Sequence, residues 1–154
     1  MSNICDHNRC KKSARKAAEH LCKELGVRFT THRRRVFEII WQSHKAMSAA
    51  QIMQQMDNSQ PPITYRALDF LKNAGLIHHV TSLNAYVGCL HTQNPNHIGQ
   101  LLICTSCYNI VELEPKTAIE KLTFEAKQHG FRPNQTHIEM LGTCKDCLKN
   151  ERNA

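Results

Sequence analysis

The stretch that decides the fold reads PPITYRALDFLKNAGLIHHV, residues 61–80. Proline is tolerated in the first turn of a helix and glycine often follows the last turn, so the two leading prolines and Gly75 bound a predicted helix. Ile63 belongs to the predicted apolar side of this helix, whereas Tyr65 and Arg66 head a polar stripe on the opposite arc. The predicted helix is therefore amphipathic and carries an aromatic ring and a guanidinium on its outer face.

Shorter helices are predicted before this stretch and a hairpin after it. Apolar periodicity predicts helices over 13–25 and 31–43, and a capping box at Ser48 opens a third. Alternating residues over 76–81 and 85–87 predict the hairpin. This order is typical of a winged helix-turn-helix module, in which the longer helix enters the major groove. The pattern alone leaves open a small helical bundle with a hairpin and no ligand.

The bulk composition points toward a polyanionic partner. The 154 residues carry a formal charge of +7, and no apolar run approaches a membrane span. Nucleic acid is the first candidate and membrane the second. The polar N-terminus has no apolar signal core, which predicts a reducing, cytoplasmic location.

Two Cys-x-x-Cys pairs, Cys104/Cys107 and Cys144/Cys147, predict a metal site. Each pair lets a turn aim two sulfurs at one point, and two pairs complete a tetrahedral shell suited to Zn²⁺. A closed four-thiolate shell leaves no position for water or substrate, so the predicted zinc is structural. Two redox or disulfide pairs are the alternative, which a reducing compartment disfavours.

The second half of the chain predicts a small α/β unit. Strands are expected over 98–104, 109–113 and 131–141, with a helix over 115–128. The predicted fold class is α+β: a winged helix-turn-helix DNA-binding domain (1–88, with 1–12 a flexible tail), a hinge (89–96), and a small α/β domain with the four-cysteine zinc (97–154). So small a unit needs a zinc staple, a partner subunit, or both.

A second set of possible ligands is spread over the two predicted domains: His78, Cys89, His97 and Glu112. Two imidazoles, one thiolate and one carboxylate make an acceptable zinc set, and the soft thiolate argues against iron or manganese. Spacing alone does not establish that these residues converge. A further Cys-x-His-x-x-Cys motif at residues 5–10 could hold an extra metal, although a flexible tail is the preferred interpretation.

Several motifs together resemble the ferric uptake regulator family. PITYRALDFL at 62–71 with GLIH at 75–78 resembles its recognition helix and wing entry, RFT at 28–30 followed by Arg33 resembles the start of its second helix, and both Cys pairs resemble its structural zinc site. The resemblance covers about residues 14–147. It departs from the family at residues 31–32, Thr-His, where relatives often have Pro-Gln.

Within the family the chain is most similar to the zinc uptake regulator branch. Iron-sensing members carry His-His-His-Asp-His before the first Cys pair, whereas residues 97–101 here read HIGQL. The resemblance implies that the second ligand set binds a regulatory zinc, giving two Zn²⁺ per subunit. It also implies a homodimer, with residues 97–154 as the dimerisation domain. When zinc-loaded, this homodimer is expected to bind a pseudo-palindromic double-stranded DNA operator and to repress zinc-uptake genes.

The expected DNA-contact residues are basic or lie on the recognition helix: Thr64, Tyr65, Arg66, Arg33, Arg15 and Lys16. No enzyme activity, small-molecule substrate or membrane partner is expected. A sensor of iron, manganese or peroxide in the same family is the alternative function. A zinc hydrolase or deaminase, suggested by His137-Ile-Glu139 before the last Cys pair, lacks the required spacing and proline. A zinc-ribbon interaction module leaves the Tyr65-Arg66 helix unexplained.

Overall fold

The computed structural model of this chain describes residues 7–42, 44–56, 60–90, 99–113, 116–134 and 136–152. Its helices and strands agree with the predicted α+β class. Within these ranges no helix is both long and apolar enough to cross a bilayer. In chain order the elements are α1 (His7–Glu24), α2 (Thr31–Ile40), β1 (Met47–Ser48), α3 (Ala49–Gln54), α4 (Pro61–Asn73), β2 (Ile77–Val80), a 3₁₀ turn (Thr81–Leu83), β3 (Ala85–Gly88), β4 (Gln100–Cys104), β5 (Ile110–Leu113), α5 (Lys116–Gln128), β6 (Ile138–Gly142) and α6 (Lys145–Arg152).

The two short helices α2 and α3 begin at the capping residues that the sequence predicts. The Thr30 hydroxyl accepts a hydrogen bond from the Arg33 amide at 3.4 Å. Ser48 and Gln51 form a reciprocal capping box, with hydrogen bonds of 2.8 and 3.2 Å. Each cap satisfies amides that have no partner inside the helix, so these side chains set where α2 and α3 start.

Helix α4 packs on α2 and α3, and Gly75 follows it with φ +70°. The inward side differs from the prediction in the first turn of the helix. Thr64 is fully buried, whereas Ile63 is 43% exposed. Packing against two helices at once rotates the buried stripe by one residue, which apolar periodicity alone does not register. The buried residues of α4 are Thr64, Ala67, Leu68 and Leu71.

Each half of the chain contains a three-stranded sheet. The N-terminal sheet has the order β1-β3-β2, and all of its pairs are antiparallel. The C-terminal sheet has the order β5-β4-β6, with β4 antiparallel to β5 and parallel to β6. The parallel pair requires a crossover, which the chain makes through β5 and α5. We call the β2–turn–β3 hairpin the wing.

The last strand and the C-terminus depart from the sequence prediction. The strand expected over 131–141 is only β6, Ile138–Gly142, preceded by irregular chain. Pro133 has no amide to donate to a ladder, and the Phe131 amide bonds back to the Ala126 carbonyl at 2.9 Å after Gly130 at φ +67°. Helix α6 was not predicted; it begins between the two cysteines of the second pair.

Two apolar clusters organise the molecule. One fills the space beneath α1 to α4 and includes Phe37, Ile40 and Leu68, each with no exposed surface. The other joins the wing to the C-terminal sheet. Burying one large apolar side chain contributes about 1.5–3 kcal/mol, so this second cluster holds the two halves together. It contains Val80, Val87, Leu101, Ile103 and Ile110.

Candidate metal centres and nucleic-acid face

The four cysteines of the two pairs converge at one end of the C-terminal sheet, with their ligand atoms all within 4.8 Å of one another. Cys104 Sγ lies 3.9 Å from Cys147 Sγ, and Cys107 Sγ lies 3.8 Å from Cys144 Sγ. Sulfurs at about 2.3 Å from a tetrahedral Zn²⁺ are separated by about 3.8 Å. The sulfurs are therefore already spaced for a four-thiolate zinc shell. No disulfide occurs among the cysteines whose side chains the structure describes.

The ionisation of these thiols also fits a cation site. The Cys144 amide donates to Cys104 Sγ at 3.3 Å, and this bond, aided by the Cys107 amide, lowers the pKa of Cys104 to about 6. Hydrogen bonds with the Cys144 and Cys107 side chains raise the pKa of Cys147 to about 12. Four neighbouring thiolates repel one another, so one sulfur ionises easily while another holds its proton. A dication removes that conflict, which is what zinc supplies when it binds.

A second group of ligand atoms bridges the two halves of the chain. His78 on β2, Cys89 just after β3 and Glu112 on β5 place their ligand atoms within 4.8 Å of one another. His78 Nε2 is 2.6 Å from Glu112 Oε1. Cys89 has no exposed surface, and the Glu112 side chain is only 3% exposed. An imidazole, a thiolate and a carboxylate in one nearly buried place form an incomplete tetrahedral set that fits Zn²⁺.

Two backbone features around this second group were not predicted. The Leu90 amide donates to Glu112 Oε2 at 2.9 Å, which leaves Oε1 toward His78. A Cβ added to Gly99 would lie 2.6 Å from His78 Cε1, so only glycine permits this approach of backbone to imidazole. The glycine two residues after His97 is the sequence signal that could have indicated such an approach, because close backbone packing is a common reason for glycine in a strand.

The remaining predicted ligands lie outside the described part of the chain. His97 belongs to 91–98, between Leu90 at the second ligand group and Gly99 against the His78 ring. His97 therefore stays a prediction for the fourth ligand. The side chains of the N-terminal Cys-x-His-x-x-Cys motif are likewise outside the described residues, as is most of the predicted hinge.

The outer face of α4 carries the side chains expected to read DNA. Tyr65 is 49% exposed, and Arg66 is exposed without a hydrogen bond or ion pair to any other described residue. Thr64 has a fully buried side chain. It cannot reach DNA while α4 is packed, so we remove Thr64 from the DNA-contact set.

Arg33 connects the start of α2 to helix α4. Its guanidinium carbon lies 3.5 Å from the Phe70 ring centroid, and its Nη1 donates to the Arg28 carbonyl at 2.7 Å. A cation over an aromatic face contributes about 0.5–2 kcal/mol. In this structure Arg33 packs α2 against α4, whereas the sequence predicted that it contacts DNA.

The two residues of α1 that are predicted to contact DNA differ in their acidic neighbours. Arg15 lies 3.1 Å from Glu19 and 3.4 Å from Glu38. Lys16 is exposed and pairs with no other described residue. Exposed ion pairs are weak, so Arg15 can still turn toward a phosphate at small cost.

A sequence profile of the ferric uptake regulator family matches residues 24–141. The chain belongs to this family. The motifs quoted above for the recognition helix, the wing entry and the first Cys pair lie within that match. The second Cys pair lies just beyond its end and extends the likeness toward the C-terminus.

Among curated relatives of the family, the chain is similar to the zinc uptake regulation protein of Escherichia coli (strain K12). The two are 34% identical over 140 residues, which cover 87% of this chain and 81% of the relative. A solved zinc uptake regulator complexed with zinc and DNA has a TM-score of 0.87 at 28% identity, covering 96% of this chain and 99% of the other.

A further similar protein, XcZur, is solved in a holo and an apo form. The holo form has a TM-score of 0.84 at 35% identity, covering 90% of this chain and 99% of XcZur. The apo form has a TM-score of 0.50 at 34% identity, covering 90% of this chain and 97% of XcZur. The arrangement of this family member therefore follows the holo form of XcZur.

Proposed function

We propose that this chain is a zinc-responsive transcriptional repressor. Loaded with zinc, it binds operator DNA as a homodimer and represses zinc-uptake genes. The proposal is supported by the family, by similarity to a zinc uptake regulator complexed with zinc and DNA, and by the holo-like arrangement. We also propose a cytoplasmic location, which a DNA target and thiols suited to zinc support.

The observation that carries the proposal is the position of the second ligand group. His78 comes from the wing, Cys89 from the chain leaving the wing, and Glu112 from the C-terminal sheet. A metal ion supplies a bond network that is complete only when these three segments meet. A structural site within one domain gives no such dependence on how the domains are placed. We assign this site, with His97 as its fourth ligand, to sensing, and the four-cysteine site to structure, for two Zn²⁺ per subunit.

The chain's own residues then connect ligand binding to DNA binding. His78 lies on β2, directly after the loop that follows α4, so a fixed β2 also fixes the direction of α4 relative to the C-terminal unit. A coupling free energy of about 1–3 kcal/mol between the metal and DNA sites is enough to change operator occupancy severalfold or more. We keep the division into 1–88, 89–96 and 97–154 as the corresponding domain proposal.

For DNA, the proposed contacts are Tyr65 and Arg66 on α4, with Lys16 and Arg15 on phosphates. A guanidinium donates two hydrogen bonds to guanine O6 and N7, and Arg66 is exposed on the outer face of α4 for this purpose. The charge of +7 adds affinity for phosphates that does not depend on sequence. A homodimer matches a pseudo-palindromic operator because two equal readers require two equal half-sites.

The C-terminal unit supplies a reason for dimerisation. Helix α5 has no buried residue among those described, and it exposes 53% of Leu122 and 59% of Phe124. A helix of about 13 residues with no fully buried side chain gains little from packing and is marginal in water. Met140 on β6 is also 60% exposed. A second copy of this unit is the proposed cover for these apolar side chains.

Zinc content and operator binding, measured together, test the proposal. Purified protein is expected to hold two zinc ions per subunit, of which mild chelation removes one together with operator affinity. Cys89→Ser should retain the four-cysteine zinc and the dimer but lose zinc-dependent DNA binding. If Cys89→Ser responds to zinc as the wild type does, the sensing assignment is wrong.

The same titration addresses the rival sensors. The thiolate of Cys89 favours zinc over iron or manganese, because hard ions prefer carboxylate and water ligands. We expect zinc to restore operator binding to the chelated protein at far lower free concentration than Fe²⁺ or Mn²⁺. Equal or better restoration by iron or manganese would assign the protein to another sensing class.

A further inference from the structure

Glu139 on β6 makes a contact between the two halves of the chain that involves no ligand residue. Its Oε1 accepts from the Thr81 amide at 2.6 Å, and its Oε2 accepts from the Ser82 amide at 2.8 Å. Both amides belong to the 3₁₀ turn at the tip of the wing. One carboxylate thus holds two consecutive amides more than fifty residues away in sequence.

The register of the C-terminal sheet shows how this contact relates to the sensing site. Leu101 on the central strand β4 is paired with Glu112 on β5 and with Glu139 on β6. Residues in register on neighbouring strands point to the same face of a sheet. Leu101 packs in the apolar cluster beneath the wing, so the three side chains form one row under the wing. Glu112 meets β2 at one end of this row, and Glu139 meets the wing tip at the other.

The contacts that Glu112 and Glu139 make with the wing differ in whether a metal ligand takes part. Glu112 faces His78 and belongs to the metal cluster, so its contact with the wing changes when an ion binds. Glu139 faces backbone amides, which need no ion and do not titrate. Burial opposes ionisation of Glu139, but hydrogen bonds from Ser82 and Thr81 outweigh it and lower its pKa. The carboxylate is therefore charged at neutral pH, where hydrogen bonds to it are strongest.

We infer that Glu139 is a positioning residue that anchors the wing tip to the C-terminal sheet independently of the sensing zinc. The inference rests on the proposed zinc response. With the tip anchored, the wing explores fewer positions, and His78 and Cys89 stay near Glu112 before an ion arrives. The apparent affinity for a ligand is lower when a smaller fraction of the protein is in the binding-competent arrangement. Because the anchor increases that fraction, it raises the zinc affinity of the sensing site.

Glu139→Ala removes both acceptors, and Glu139→Gln keeps one oxygen that can accept. Glu120→Gln is the matched control, because Glu120 is an exposed carboxylate of α5 with no contact to the wing among the described residues. Zinc is titrated into the full-length dimer whose four-cysteine site is filled, with operator binding as the signal. We expect half-maximal binding to need about tenfold more free zinc in Glu139→Ala and about threefold more in Glu139→Gln. Glu120→Gln should match the wild type.

The operator affinity at saturating zinc separates positioning from general destabilisation. A positioning role predicts that this affinity stays within about twofold of the wild type, because the ion then completes the arrangement. An unchanged zinc midpoint in Glu139→Ala overturns the inference and leaves Glu139 with a stabilising role only. A loss of operator binding that excess zinc does not restore also overturns it.

Hydrogen exchange at residues 81–83 gives a reading that does not depend on DNA. In wild-type protein without the sensing zinc, the Thr81 and Ser82 amides should remain protected, and Glu139→Ala should lose that protection. Rapid exchange in the wild type contradicts the inference. Failure of wild-type DNA binding to respond to zinc contradicts the proposed function instead, so the two failures are distinguishable.

Discussion

At the scale of single residues, the His78 ring contacts a carboxylate and closely approaches the backbone of a glycine. Glu112 Oε1 is 2.6 Å from His78 Nε2, and a Cβ on Gly99 would lie 2.6 Å from His78 Cε1. The imidazole is therefore restricted before a metal binds. Such restriction reduces the conformational entropy lost on binding and so favours affinity.

Gly99→Ala is expected to weaken the sensing site without affecting the structural one. The added methyl would lie 2.6 Å from His78 Cε1, so the ring or the strand must shift. We expect about a tenfold loss of zinc affinity at the sensing site, measured by competition with a chelator. Gly142→Ala is the control, because a Cβ there meets nothing within 4 Å. Equal zinc affinity in the two variants would contradict the close approach at Gly99.

Zinc binding by the four-cysteine site should release protons. At pH 7 Cys104, with a pKa of about 6, is mostly thiolate, whereas Cys147, with a pKa of about 12, is protonated. The Asn109 amide opposes the change, but burial and Cys104 raise the pKa of Cys107, which is then protonated as well. Since the bound form requires thiolates, at least about two protons leave per ion. Calorimetry in buffers of different ionisation enthalpy measures this number; release of fewer than two contradicts the assigned protonation.

At the scale of elements, α4 is packed on one side and exposed on the other, and the exposed side is the one proposed to contact DNA. Its inner side includes Thr64 and Leu68, and its outer side presents Tyr65 and Arg66. Arg33 packs on Phe70 from α2 and so fixes the outer face in direction. The buried arc of α4 therefore serves packing, and the exposed arc is left for the proposed DNA contacts.

Arg66→Ala is expected to reduce discrimination among operator sequences by about 1–3 kcal/mol at one base pair of each half-site. Arg66→Lys keeps the charge but loses the two-pronged donor, so it should lose most of the discrimination and less of the total affinity. Arg132→Ala removes an exposed arginine of the C-terminal unit and serves as the control for net charge. Binding to operator variants is the measurement. Unchanged base preference in Arg66→Ala would show that Arg66 does not read a base.

At the scale of the whole molecule, the wing hairpin belongs to two layers at once. It completes the N-terminal sheet through β1 and covers the C-terminal sheet through the apolar cluster of Val80, Val87 and Leu101. A β-bridge between Lys45 and Asn109 adds a further link. The two halves of the chain are thus joined by apolar packing, backbone pairing and the hydrogen bonds of Glu139, and the second ligand group lies between the same two halves.

Dimerisation is expected to depend on the exposed side of α5. Leu122→Lys places a charge where Leu122 is 53% exposed and has no cover in the single chain. We expect the variant to be monomeric at micromolar concentration by light scattering, and to bind operator at least about tenfold more weakly. Leu25→Lys, at an equally exposed leucine of the N-terminal unit, should remain dimeric. A dimeric Leu122→Lys protein would place the interface elsewhere.

The local chemistry of this chain was determined by its sequence. Pro61, Gly75 and the Ser48 capping box act on neighbouring residues, so they set the ends of helices in any tertiary context. The two Cys pairs likewise predicted their site, because a turn of two residues brings each pair together by itself. The strand expected over 131–141 was wrong because Pro133 and the turn after α5 limited pairing to β6.

Only the tertiary structure decided which distant residues meet. It brought His78, Cys89 and Glu112 together, placed Glu112 and Glu139 on either side of Leu101, and buried Thr64 instead of Ile63. Each of these depends on the register of β4 with both neighbours or on the packing of α4 against two helices. Register and packing are set by the sum of many contacts between segments, and no spacing within one segment encodes them.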